Sequence, residues 1–182
     1  MFFRLTRTDS VHHLGEKELD LSAVAYIINS FSTRRDVFVS REIPLSGIIP
    51  ENSLQPDLLH IHEELLKCAA FWGNSPTMAA ESALLGVPAV YVGTGKFAYI
   101  RELETSGMVF CYSPVHLDDS LTKLEELLEQ ADRKQFRQLR DRLLKDKIDM
   151  TELFYWFITD YPRSARIIAT DRNWQSRFRL SV

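Results

Sequence analysis

The sequence predicts an α/β fold: a parallel sheet with helices on both faces, followed by a helical carboxyl-terminal extension. Three observations carry that prediction. Short apolar runs recur at Phe2-Phe3-Arg4-Leu5-Thr6, Val37-Phe38-Val39-Ser40, Ala69-Ala70-Phe71-Trp72, Ala89-Val90-Tyr91-Val92 and Met108-Val109-Phe110-Cys111-Tyr112. Segments of helical period separate them, the alternation expected of strands joined by crossover helices. Between the third and fourth runs lies a helix with both its start and its stop written in the sequence, Asn74 to Pro88.

The elements follow in order. After the first strand comes a polar loop, Thr8 to Gly15. Asp20 or Ser22 then caps a helix reaching about Phe31, with Leu21, Val24, Ala25 and Ile28 on one face. Asp36 precedes the second strand. Ile43 to Asn52 carries prolines and a glycine and reads as loop, with room for a short edge strand at Gly47-Ile48-Ile49. Pro56-Asp57 opens a helix through Lys67, and the third strand follows.

In the central stretch Ser75 is placed to cap a helix, its hydroxyl accepting a bond from a first-turn N–H. Pro76 suits the first helical position, where a missing N–H costs nothing. Met78, Ser82 and Leu85 recur at helical spacing, with alanines between them for close packing. Gly86 ends the helix in a left-handed turn and Pro88 prevents its restart. Gly93-Thr94-Gly95-Lys96 forms the next loop; it lacks the first glycine and the final Ser or Thr of a P-loop. Phe97 to Thr105 is helical up to Gly107, and Ser113-Pro114 breaks the last strand. From Leu117 the pattern is helical to the end, with breaks near Gln130-Ala131-Asp132 and at Pro162; the run from Asp132 to Lys147 reads as a solvated helix face.

Composition excludes several function classes. The chain has 182 residues, enough for an α/β domain with a core. A formal net charge of −3 gives no reason to expect a nucleic-acid surface. Cys68 and Cys111 sit in apolar runs without metal-ligand spacing, and read as small buried hydrophobes in a reducing compartment. Met1-Phe2-Phe3 meets Arg4 and Arg7 without a signal-peptide pattern, so the expected location is cytoplasmic. The longest apolar run, Leu153 to Ile158, is too short to span a bilayer.

A helix that starts just beyond a parallel strand turns unpaired N–H groups and a positive dipole end outward, an arrangement suited to anions. Thr77 and Glu81 are four apart and share a face near that end. A carboxylate one turn inside a phosphate site is placed to accept bonds from ribose hydroxyls. Taken locally, Ser75 as a simple cap and Glu81 as a solvated residue is the competing reading.

The pattern Ser75, Thr77, Met78, Ala79, Glu81, Leu84, Leu85, Gly86, Pro88 resembles the nucleotide-sugar-binding half of GT-B-fold proteins. It looks closest to an uncharacterised GT-B-like family of unknown function, and more distantly is similar to the UDP-N-acetylglucosamine 2-epimerases and glycosyltransferases. The resemblance covers nearly all of the chain, but only the carboxyl-terminal half of such proteins. It implies a Rossmann-like sheet with the first strand beside the strand at Ala69-Trp72. It also implies that Ser75 and the following amides hold a diphosphate and Glu81 the ribose. Pro76 and Thr77 stand where the epimerases have two glycines. The topological switch then falls between the loop after the first strand and the loop holding Ser75, where ligands of open α/β sheets bind.

The candidate ligand-binding residues are accordingly Arg7, Ser10, Ser75, Thr77, Met78 and Glu81, with His12 and His13 as candidate catalytic groups and Asp9 beside them. Arg7 suits a phosphate clamp, and either histidine suits proton transfer near neutral pH. An adjacent His pair in a loop is also an ordinary surface feature, and Asp9 an ordinary turn former. His60 and His62 read as packed or solvated. No metal and no cofactor are expected. The expected ligand is a nucleoside diphosphate or nucleotide sugar.

Two functions from different classes stay open: the nucleotide-sugar-binding half of a glycosyltransferase-like or epimerase-like protein, incomplete as a catalyst alone, or a non-catalytic binding or assembly module. The expected domains are residues 1–147, the nucleotide-sugar-binding-type unit, and 148–182, a helical extension packing on it or on a partner. The run Leu153-Phe154-Tyr155-Trp156-Phe157-Ile158 is apolar nearly all round a helix. An amino-terminal GT-B domain or a second copy in a homodimer is its expected partner.

Overall fold

The computed structural model describes residues 1–6, 19–42, 53–130 and 132–180. The loop bearing Arg7, Asp9, Ser10, His12 and His13 lies outside the described residues, as does the expected edge strand at 47–49. The chain divides into two compact units, Met1–Leu139 and Arg140–Val182.

Five strands of the first unit, among the described residues, form one parallel sheet: β1 (Phe2–Leu5), β2 (Phe38–Arg41), β3 (Phe71–Gly73), β4 (Ala89–Val92) and β5 (Val109–Tyr112), in the order β2-β1-β3-β4-β5. Phe3 pairs with Trp72 and Arg4 with Gly73, so the first strand lies beside the third. The helices between them are α1 (Leu21–Ser32), α2 (Ile61–Lys67), α3 (Pro76–Leu84), α4 (Ala98–Thr105), α5 (Leu117–Gln130) and the start of α6 (Arg133–Leu144). This is the Rossmann-like α/β architecture, with the strands apolar toward both faces because helices cover both.

On one face Phe3, Leu5, Val39, Trp72, Val90 and Val92 meet Val24, Ile28 and Phe31 of α1, Leu124 and Leu127 of α5, and Phe136 of α6. Trp72 is fully enclosed there, its indole N–H donating to Ser120 Oγ at 3.1 Å. On the other face Phe2, Phe71 and Ala89 lie under the layer that contains α2, α3 and α4. The cap on α1 is Asp20, which accepts from the N–H groups of Ser22 and Ala23. Asp57 opens a turn of 3-10 helix at Leu58–His60, which runs on into α2.

The buried side of α3 takes the expected alanines and Ser82 but not the larger apolar residues at the same spacing. Pro76, Ala79, Ala80, Ser82 and Ala83 are buried, whereas Met78 and Leu85 are only half-buried and Leu84 is exposed. The helix lies close against the sheet, so small side chains occupy the contact. Ser82 fits there because its hydroxyl donates to Val87 O at 3.2 Å, satisfying the buried oxygen within the turn that ends the helix. Gly86 takes φ +76°, the left-handed conformation that the turn requires.

In the second unit α7 (Met150–Thr159) and α8 (Arg163–Thr170) flank the break at Pro162. Trp156 stacks on Trp174 at 5.9 Å and meets Phe178 at a tilt at 5.5 Å between ring centres. None of the α7 residues is buried; Phe154, Tyr155 and Ile158 are exposed by 57%, 72% and 72%. Among the described residues no helix is long and apolar enough to cross a membrane.

Candidate functional site

The strand order places a switch point between β1 and β3. The chain leaves β1 toward β2 on one side, then returns to build β3, β4 and β5 on the other. The carboxyl ends of β1 and β3 therefore lie at a topological switch point, the place where ligands of open α/β sheets bind.

Two features hold those strand ends together. Gly73 approaches β1 so closely that a Cβ there would lie 2.2 Å from Arg4 O; only glycine fits. Asn74, 7% exposed, then clamps the residue after β1. Its side-chain Oδ1 accepts from the Thr6 N–H at 2.7 Å and from Thr6 Oγ1 at 3.2 Å, its Nδ2 donates to Thr6 O at 3.1 Å, and its own N–H donates to Arg4 O at 3.2 Å. No motif in the sequence marks Asn74 as a functional residue. Its only local signal is its position, at a strand end and just before a helix cap, with an amide able to satisfy an N–H and a C=O at once.

Ser75 and Pro76 open α3 as their residue types dictate. Ser75 has extended backbone, and its Oγ accepts from the Met78 N–H at 3.4 Å. The Ala79 N–H goes to Ser75 O at 3.0 Å, and Pro76 has no N–H. The Thr77 amide is thus the first-turn donor without a hydrogen-bond partner among the described residues. Thr77 itself is exposed, and Met78 and Glu81 are half-buried. Thr77, Met78 and Glu81 are brought together on α3; Arg7, Ser10, His12 and His13 are outside the described residues.

Glu81 is not simply solvated. Its Oε2 lies 3.3 Å from His62 Nε2, on the second residue of α2, with the two side chains 38% and 60% exposed. Sequence spacing gave no sign of this contact, because the partners are 19 residues apart on different helices. A second pair, Asp57 and His60, meets at 2.9 Å at the entrance to α2. Its hydrogen bond, more than its charge, holds the Asp57 carboxyl below the usual range and raises the His60 imidazole. Arg4, at the end of β1, is already engaged: it donates to Ser40 Oγ at 2.6 Å and pairs with Glu42.

Neither cysteine is activated. Burial is the main cause that raises both thiols, Cys111 to about 12 with the Glu104 charge adding to it, which keeps them protonated near neutral pH. Among the described residues no group of three or more His, Cys, Asp or Glu is arranged to hold a metal.

No family model and no curated protein matches the chain in sequence. Solved structures do match it in shape. The chain is similar to the glycotransferase of kitacinnamycin, with TM-score 0.55 and 16% identity over 78% of this chain and 38% of that one. It is similar also to CalG4, the calicheamicin glycosyltransferase, with TM-score 0.53 and 16% identity over 79% of this chain and 38% of that one. The chain thus spans well under half the length of these glycosyltransferases. At such identity the likeness is one of fold: the chain shares the Rossmann-like α/β fold of the part of those glycosyltransferases that it matches.

Proposed function

We propose that the chain is the nucleotide-diphosphate-sugar-binding half of a glycosyltransferase-like or epimerase-like GT-B protein. The observation that carries this reading is the placement of Glu81: a half-exposed carboxylate on the helix that opens at the switch point. A carboxylate there has the acceptor geometry for a ribose diol, while the Ser75 hydroxyl and the Thr77 amide face the phosphates from the helix start. Met78 lines the same end of α3. Arg7 and Ser10 are the proposed phosphate ligands from the loop after β1, and His12 and His13 the proposed proton-transfer groups. The acceptor side and the rest of the catalytic apparatus are assigned to a further domain or to a second copy, so the chain alone is incomplete as a catalyst.

Pro76 favours a second reading, because it removes an amide that a diphosphate site would use. In that reading the chain is a binding or assembly module that keeps the fold without catalysis. Calorimetry with uridine, cytidine, guanosine and adenosine diphosphates separates the two. Binding of at least one is expected with a Kd between about micromolar and millimolar, roughly 4–8 kcal/mol. Silence from all four at millimolar ligand overturns the nucleotide reading. Glu81→Gln is expected to weaken that binding with the melting temperature nearly unchanged, within about 0.5 kcal/mol of stability. Unchanged affinity removes Glu81 from the site.

A further inference from the structure

We infer that His62 is a positioning residue for Glu81, holding its carboxylate in the orientation that receives ribose hydroxyls. The inference rests on the nucleotide reading above and adds to it a residue from a different helix.

Glu81 stands on α3 with 38% of its side chain exposed, and its carboxylate has a polar partner on the neighbouring helix. That partner is His62. It occupies the start of α2, which lies beside α3, and presents Nε2 at 3.3 Å from Glu81 Oε2. With hydrogen on Nε2, the imidazole donates one bond to Oε2. Oε1 keeps both of its lone pairs and Oε2 keeps one, so two hydroxyl donors of a vicinal diol still find acceptors. Exposed pairs of this kind add little to folding, so the contact is better placed to orient a ligand group than to stabilise the domain.

The test is calorimetry on the full chain with two probes, uridine diphosphate and 2′,3′-dideoxyuridine diphosphate, which lacks the ribose hydroxyls. His62→Ala is expected to weaken uridine diphosphate about fivefold, the scale of one oriented hydrogen bond to a charged group, and to leave the dideoxy probe unchanged. His62→Gln, which places an amide N–H near the same point, is expected to restore most of the loss. His62→Ala added to Glu81→Gln is expected to cost nothing more, because the effect passes through Glu81. Melting of the His62→Ala chain at the wild-type temperature shows that the fold is intact. An equal loss for both probes, or no loss for either, overturns the positioning role while the nucleotide reading stands. If the wild-type chain takes another of the four bases, the same diphosphate and its 2′,3′-dideoxy form are used with that base; if it binds none of the four at millimolar concentration, the nucleotide reading fails and this inference falls with it.

Discussion

Removing the Asn74 side chain tests whether it holds the ends of β1 and β3 together. In Asn74→Ala the Thr6 N–H and C=O both lose their side-chain partner. Each such bond contributes about 1 kcal/mol net to stability. The Thr6 hydroxyl, which also points at Oδ1, can turn to water and adds little. Thr6 is half-buried, so water reaches the freed groups only in part. The expected loss is therefore about 2 kcal/mol, or roughly 4–8 °C in melting temperature for a chain of this size.

The aspartate variant sharpens the test. Asn74→Asp keeps an acceptor for the Thr6 N–H but turns a carboxylate oxygen toward Thr6 O, where Nδ2 now donates at 3.1 Å. Two acceptors then face each other, so the carboxyl is expected to hold its proton more tightly in the folded state. The destabilisation is present at neutral pH and relieved as pH falls, once the protonated group donates to Thr6 O. Urea unfolding at pH 7 and pH 5 measures both effects, read as a change in midpoint at constant slope. An Asn74→Ala chain within about 0.5 kcal/mol of the wild type, or an Asn74→Asp penalty that does not shrink on acidification, refutes the clamp.

Gly73→Ala drives a methyl to 2.2 Å from a backbone oxygen that has nowhere to go; it is expected to cost about 3 kcal/mol in the same urea assay, and wild-type stability would contradict the close approach. The Asp57–His60 pair predicts a His60 titration midpoint above its ordinary 6.5, followed by NMR and returning toward that value in Asp57→Asn. By linkage, the His60 share of that contact's stability is complete below 6.5 and fades as pH rises through the folded value. The Asp57 share is present above its unfolded value of 3.8 and fades as pH falls through the lowered one. The exposed Phe154, Tyr155 and Ile158 on α7 predict self-association in light scattering across a concentration series. Tyr155→Ser with Ile158→Ser is expected to abolish it, and a wild-type chain monomeric at every concentration would count against it.

What was legible in the sequence is what local chemistry decides. Asp20, Ser75-Pro76 and Gly86 each act within a few residues of themselves, and each sits where its type requires. The strands are legible because a buried parallel strand must be apolar toward both faces. On α3 the expected packing of Ser82 and the alanines holds, whereas Met78 and Leu85 at the same spacing are only half-buried, because a close helix-to-sheet approach favours small side chains. The parts of the site that depend on distant contacts were not legible at all. Asn74 finds its partner 68 residues away across a strand pair, and Glu81 finds His62 on a neighbouring helix.

The distribution of donors around α3 decides where affinity can come from. A helix start contributes about half a positive charge, worth roughly 0.3–1 kcal/mol to an anion at an exposed site. Here the amides that would add to it are mostly committed. Pro76 has none, Met78 bonds the cap hydroxyl and Ala79 bonds the cap carbonyl, which leaves Thr77. One amide and a weak dipole do not replace the water around a diphosphate, whose charges each need direct partners. Arg4 cannot supply them while it serves Ser40 and Glu42. On the proposed reading the ribose end is better provided, because the Glu81 carboxylate already contacts His62. On the proposed nucleotide reading, the phosphates set position and the sugar hydroxyls supply the larger share of the affinity. That is why the ligand pair chosen to test His62 differs at the ribose and keeps the diphosphate constant.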